Sequence, residues 1–239
     1  MGVIDVLKIT ISVLLFTVGF SGTDSVYADT TANFGVASNY VWRGVTMTND
    51  RPAVSGGIDY LHPKQHYIGF WLSNIEDRED DNNEGSKIDI SAGTHITLGD
   101  YDIEFGAIHY YFNRGNHFNP SLAQNGKLEP DSANDNSFSE ILMGLKRGIF
   151  AARSYYSDDY YGSGYSSHYW QAGVNYPIRE DIVLEAYYGL TDSEAVPDHA
   201  GMVGDYLVTL TKGEFSISWA NLDDHEDGRQ SENFRLTVS

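Results

Sequence analysis

The sequence predicts an all-β fold: an antiparallel up-and-down transmembrane β-barrel of about 12 strands behind a cleavable export signal. Three observations carry the prediction. Apolar and polar residues alternate with period two along most of the chain. Long and short connections alternate between those stretches. The N-terminus bears a short apolar run that ends in a small-residue cleavage pattern.

Composition bounds the fold first. Hydrophobic residues make up 41% of the chain and charged residues 21%, which is ordinary for an ordered protein. The 17 Tyr and 24 Gly against 6 Pro favour strands and tight turns over helices. Cysteine is absent, which removes disulfides, thiolate nucleophiles and cysteine-ligated metal centres. A net charge of −19 gives no electrostatic attraction to nucleic acid or to an anionic membrane surface.

Residues 1–28 read as a signal peptide. Lys8 lies in the front part, Ile9 to Phe20 form the apolar stretch, and Val26-Tyr27-Ala28 provides the cleavage pattern. The apolar stretch is well short of the ~20 residues a helix needs to cross a bilayer. Residues 29–239 then form the barrel domain, with no run long and apolar enough for a helical span.

The first strand is expected to run through residues 33–43. Phe34, Val36, Tyr40 and Trp42 would face lipid on it, and Asn39 and Arg43 the interior. Residues 53–61 come next, with Val54, Ile58 and Tyr60 set against Ser55, Gly57 and Asp59. The pattern is plainest over 87–98, where Ile88, Ile90, Ala92, Ile96 and Leu98 alternate with Lys87, Asp89, Ser91, Gly93, His95 and Thr97. The other strands are expected at 67–74, 101–112, 137–146, 149–157, 167–176, 181–190, 204–212, 215–221 and 233–239; the phase of 137–146 is ambiguous.

Short connections such as "HPKQ", "GD", "RG", "PIRE" and "KGE" alternate with longer, acidic ones such as "IEDREDDNNEG" and "LDDHEDGRQSE". In an up-and-down sheet that alternation places all long loops on one rim and all tight turns on the other, with both termini periplasmic. A soluble sandwich would bury its apolar face and cross between sheets, which one-sided loop lengths do not suggest. Tyr40, Trp42, Tyr60, Trp71, Trp170, Tyr188 and Trp219 are the expected aromatic girdles.

The inward rows are expected to carry the candidate pore-lining residues. These are Asn39, Arg43, Lys87, His95, Arg153 and Arg235, with the acidic Asp59, Asp89, Asp102, Glu104 and Glu185. Such a row can select solutes by size and sign, or its ion pairs can simply fill and stiffen a modest barrel. The acidic loops would concentrate cations at an open mouth.

Three sharper patterns fall short of sites. "DDNNEG" at Asp80–Gly85 and "DDHEDG" at Asp223–Gly228 begin like calcium loops, but their twelfth positions are Ser91 and Phe234. Solvated loops, bridged by divalent ions to lipopolysaccharide, are the simpler reading. His168 beside Ser166 and Ser167 hints at a lipid hydrolase, yet neighbours in a strand point to opposite faces and no nucleophile elbow is present. The histidines at 62, 95, 109, 117, 199 and 225 show no metal-ligand spacing.

The stretch "ANFGVASNYVWRGVTMTNDRPAVSGGIDY", followed by "YIGFWLSNIE", resembles the opening of the Gram-negative TorF-type porin family. "YDIEFGAIHYYF", "SYYSDDYYG" and "YGLTD" are similar to later family segments, in the same order. The resemblance implies an outer-membrane barrel presumed to be a pore, without catalytic residues or cofactor. Barrels of this kind usually end on an aromatic residue read by the barrel-assembly machinery, whereas this sequence ends "NFRLTVS".

The expectation is therefore a passive outer-membrane pore for small hydrophilic solutes with mild cation preference, surrounded by outer-membrane lipid and lipopolysaccharide. A closed structural or adhesive barrel acting through its loops is the alternative, and a lipid hydrolase a third.

Overall fold

In the computed structural model, residues 28–76, 84–113, 137–195, 202–223 and 235–238 are described. The predicted signal peptide at 1–28 and the loops "DDNNEG" and "DDHEDG" lie outside them, apart from their end residues.

Eleven long strands form one continuous antiparallel sheet, and a short one adds a twelfth. In chain order they are β1 (Asp29–Ala37), β4 (Ala53–Leu61), β5 (His66–Glu76), β6 (Glu84–Leu98), β7 (Tyr101–Asn113), β8 (Phe138–Arg147), β9 (Phe150–Ser157), β10 (Ser167–Arg179), β11 (Ile182–Ser193), β12 (Met202–Lys212), β13 (Phe215–Asp223) and β14 (Arg235–Val238). Two short strands, β2 (Val41–Trp42) and β3 (Val45–Thr46), pair separately as a small hairpin between β1 and β4. Each long strand pairs with its neighbour in sequence, β1 with β4 across that hairpin, so the meander is up and down throughout. Among the described residues no ladder joins β14 to β1, so the sheet is not closed into the barrel expected from the sequence.

Period two governs which face each side chain takes. On β5, Tyr67, Gly69, Trp71, Ser73 and Ile75 are buried while Ile68, Phe70 and Leu72 are exposed. On β8, Phe138, Glu140, Leu142 and Gly144 are buried while Ile141, Met143 and Leu145 are exposed. The exposed row is the apolar one. Phe34 is 49% exposed, Ile58 55% and Ile141 66%. Charged residues enter the outward rows at strand ends, as Glu76, Arg147, Asp192, Lys212 and Asp223.

Strand lengths of 9 to 13 residues are typical of β4, β5, β7, β10, β12 and β13, close to the ~9–11 a tilted strand needs to cross a bilayer. Tight turns at 62–65, 99–100, 148–149, 180–181 and 213–214 fall on one rim by connectivity, and the longer connections on the other.

The main departure from expectation is at the first strand. β1 ends at Ala37, and residues 38–52 fold into the concavity of the sheet instead of continuing the strand or standing out as a loop. Tyr40 and Trp42 therefore do not face lipid. Tyr40 is 4% exposed, and Trp42 packs on the buried aromatic cluster. Trp71 likewise points inward. Of the expected girdle residues, Tyr60, Trp170, Tyr188 and Trp219 do lie on the outward face.

Candidate functional site

The inward segment is built around one polar side chain. The Asn39 amide donates to Asp50 Oδ1 at 2.8 Å, and its carbonyl oxygen accepts from Thr46 Oγ1 at 2.7 Å and Thr48 Oγ1 at 3.1 Å. Thr48 Oγ1 also accepts from the Tyr40 amide at 3.0 Å, and the Met47 amide donates to the Tyr40 carbonyl at 2.7 Å. The segment thus satisfies many of its own polar groups, as a buried loop must.

At its tip, Arg43 (φ 48°) and Gly44 (φ 74°) form the two-residue turn between β2 and β3. Positive φ at both central positions is the signature of a hairpin turn whose twist matches its strands. Gly44 is also needed for space, since a Cβ there would come within 2.8 Å of Leu222 Cδ2 and 2.9 Å of the Asn221 carbonyl. The turn carries Arg43 into the middle of the sheet's concavity.

There the guanidinium makes a two-pronged pair with Glu140 of β8, Nη1 to Oε1 at 2.8 Å and Nη2 to Oε2 at 2.6 Å. The Tyr110 hydroxyl donates to the same Oε2 at 3.0 Å. Rings close around the cation: its Cζ lies 4.0 Å from the Tyr169 ring centroid, 4.5 Å from Trp42 and 5.2 Å from Tyr155. Burial works to lower the Arg43 pKa, but the Glu140 charge and hydrogen bonds outweigh it, so the group is held well above its ordinary value and stays charged. Burial pushes the Tyr160 hydroxyl up to about 12 and raises Tyr161 well above its ordinary value.

A second cation sits beside the first. Lys87 of β6 is 0% exposed, and its ammonium is paired to Asp89 Oδ1 at 2.6 Å. It is ringed by Tyr110 at 4.6 Å, Trp42 at 5.1 Å, Trp71 at 5.4 Å, Phe112 at 5.8 Å and Tyr40 at 6.0 Å. Ammonium and guanidinium groups over ring faces gain most where water is excluded. Val41 completes the contact on the far side, clustering with Tyr187, Leu207 and Ala220 of β11, β12 and β13. One segment therefore touches strands from β5 to β13, so the sheet curls around it.

The interior toward the tight-turn rim is different. Glu104 of β7 accepts from the Tyr67 hydroxyl at 2.9 Å and pairs with Arg153 Nε at 3.3 Å. The Asn175 amide donates to Glu185 at 2.8 Å, and Thr97 Oγ1 donates to Asp102 at 3.1 Å. His95 lies 5.1 Å from the Tyr67 ring, and Asp59 faces the same space from β4. Asp59, Asp102, Arg153 and Glu185 are half-buried.

The structure thus places the candidate lining residues on the inward side but in two groups. Asn39, Arg43, Lys87 and Asp89 belong to the packed half near the long loops. Asp59, His95, Asp102, Glu104, Arg153 and Glu185 belong to the looser half. The Arg235 side chain lies outside the described residues. Ser167 points inward and His168 outward, where it stacks on Trp170 at 5.3 Å. Sequence reasoning misses Glu140 and Asp205, both 1% exposed, and the inward tyrosines. Asp205 Oδ1 accepts from the Tyr169 hydroxyl at 3.4 Å.

The sequence model of one family, described as "Bacterial protein of unknown function (Gcw_chp)", matches residues 20–229. No curated protein and no solved structure matches the chain. The likeness to TorF-type porins stays a resemblance of the quoted segments.

Proposed function

Starting from the bacterial family Gcw_chp, to which this chain belongs, we propose that the protein is an outer-membrane β-barrel giving small hydrophilic solutes, cations foremost, a narrow passage. The observation that carries the proposal is the two-faced sheet: an apolar face turned outward and a charged, hydrogen-bonded face turned in. In water, exposed apolar patches beyond a few hundred Å² are rare on monomers, and this one recurs on strand after strand. Lipid resolves it, provided the backbone is satisfied by ring closure between β14 and β1, because an unpaired edge in hydrocarbon costs several kcal/mol per group. Outward rings support the same placement. Tyr60, Tyr101, Phe150, Tyr176 and Phe215 flank the tight-turn rim, and Tyr111, Tyr156, Trp170, Tyr188 and Trp219 lie toward the other.

Cation preference comes from the tight-turn half, where Asp59, Asp102, Glu104 and Glu185 outnumber Lys146 and Arg153. Export by residues 1–28, residence in a Gram-negative outer membrane and delivery by the barrel-assembly machinery belong to the same reading.

A closed structural barrel is the second reading, and the packing of residues 38–52 favours it. Planar-bilayer recording distinguishes the two. The passage reading expects brief, infrequent, cation-selective steps from the refolded protein, and a closed barrel gives none.

A further inference from the structure

We propose that Arg43 and Glu140 are the latch that holds residues 38–52 inside the barrel, and that solute passes when this pair separates. The inference rests on the passage reading above and adds its control element.

The segment has the anatomy of a hinged flap. Its two ends are clamped side by side where Ala37 pairs with Ala53. Its internal hydrogen bonds, centred on Asn39, keep it a single body whether docked or withdrawn. Two of its ties to the wall lie close to the rim. The Glu76 amide donates to the Met47 carbonyl at 2.8 Å. Arg51 pairs with Glu76 at 3.0 Å, but Arg51 is 43% exposed, and exposed pairs hold little. The deep ionic tie is Arg43 to Glu140, with side-chain exposures of 7% and 1%.

Charge sets the outcome when that tie fails. An arginine cannot shed its proton, so Arg43 without Glu140 is an uncompensated cation in a dry, ring-lined space. Of the other inward acids, Asp89 is already engaged by Lys87 and Asp205 accepts from the Tyr169 hydroxyl. Lys87 adds to the penalty, because both cations lie against the same Trp42 ring, Arg43 at 4.5 Å and Lys87 at 5.1 Å from its centroid. Water at the long-loop rim would solvate the Arg43 charge, so loss of the pair drives the segment outward.

The test is single-channel recording on the full-length protein and four variants, each first shown to be folded by its heat-modifiable gel mobility. Glu140→Gln is expected to raise the fraction of time open at least tenfold over the native chain. Arg43→Gln breaks the same pair from the other side and serves if Glu140→Gln does not refold; the double variant is expected to add nothing beyond the stronger single one. In a fourth variant a glycine–serine linker replaces residues 39–51, which removes the flap. A linker variant that conducts while both single variants stay as closed as the native chain overturns the latch and leaves the passage standing. A folded linker variant that does not conduct overturns the passage, and the latch with it.

Discussion

The two halves of the interior are built from the same strands yet obey different rules. Toward the long loops, Arg43, Lys87, Glu140 and Asp89 are enclosed by aromatic rings, and their charges are matched pair by pair at 2.5–2.8 Å. Toward the tight turns, Asp59, Asp102 and Glu185 face a looser space, where Arg153 reaches Glu104 at 3.3 Å. The difference comes from residues 38–52, which supply Tyr40, Trp42 and Arg43 to one half and nothing to the other. A single connection, long enough to fold inward, converts half of the sheet's polar inward face into something like a protein core, and substitutions should feel the conversion.

Trp42→Ala should have the largest effect. It removes the ring that both cations approach, with neighbours Tyr110 at 5.4 Å, Tyr161 at 6.1 Å and Phe138 at 6.4 Å. A loss of about 3 kcal/mol is expected from a large, partly buried aromatic, read as a lower urea midpoint for the gel-mobility transition. Gly189→Ala comes next. Its Cβ would collide with the Tyr169 hydroxyl and with Asp205 Oδ2, so overpacking of about 1–3 kcal/mol is expected by the same assay. Asp59→Asn, in the looser half, should move stability by less than about 0.5 kcal/mol. Its effect is expected instead as lower cation-over-anion selectivity in the reversal potential. Equal destabilisation by Trp42→Ala and Asp59→Asn would erase the distinction between the halves.

Much of the sheet is legible in the sequence because a strand's period of two is unambiguous where one face is apolar and the other is not. β4 and β6 show it: Val54, Ile58, Ile90 and Ile96 are exposed, while Ser55, Lys87 and Ser91 are buried. Legibility fails where both faces are apolar. In "YIGFWLS" the rows Ile68, Phe70, Leu72 and Tyr67, Trp71 look alike, so Trp71 reads as a girdle residue although it points inward. It fails again at 38–52, because Tyr40 and Trp42 keep the parity of Phe34 and Val36 after the strand has ended. Turn chemistry holds the missed signal. Arg43-Gly44 and Asn49-Asp50 all adopt positive φ, and two such dipeptides within a few residues cannot belong to one straight strand. Glu140 stays hidden in the stretch of ambiguous phase, and a lone acid says nothing about a partner 97 residues earlier in the chain.

The outward face offers the most direct test of a lipid-facing sheet, through the four native tryptophans. Trp170 and Trp219 are 42% and 41% exposed on the apolar face, whereas Trp71 is buried at 7% and Trp42 lies in the packed segment. Single-tryptophan variants reconstituted into vesicles of brominated phospholipid should report this by fluorescence. Strong quenching of Trp170 and Trp219 with little change at Trp42 and Trp71 is the expected result. Equal quenching at all four positions, or a chain that folds in water and leaves Trp170 and Trp219 unquenched, would contradict an apolar outer face wrapped around a packed interior.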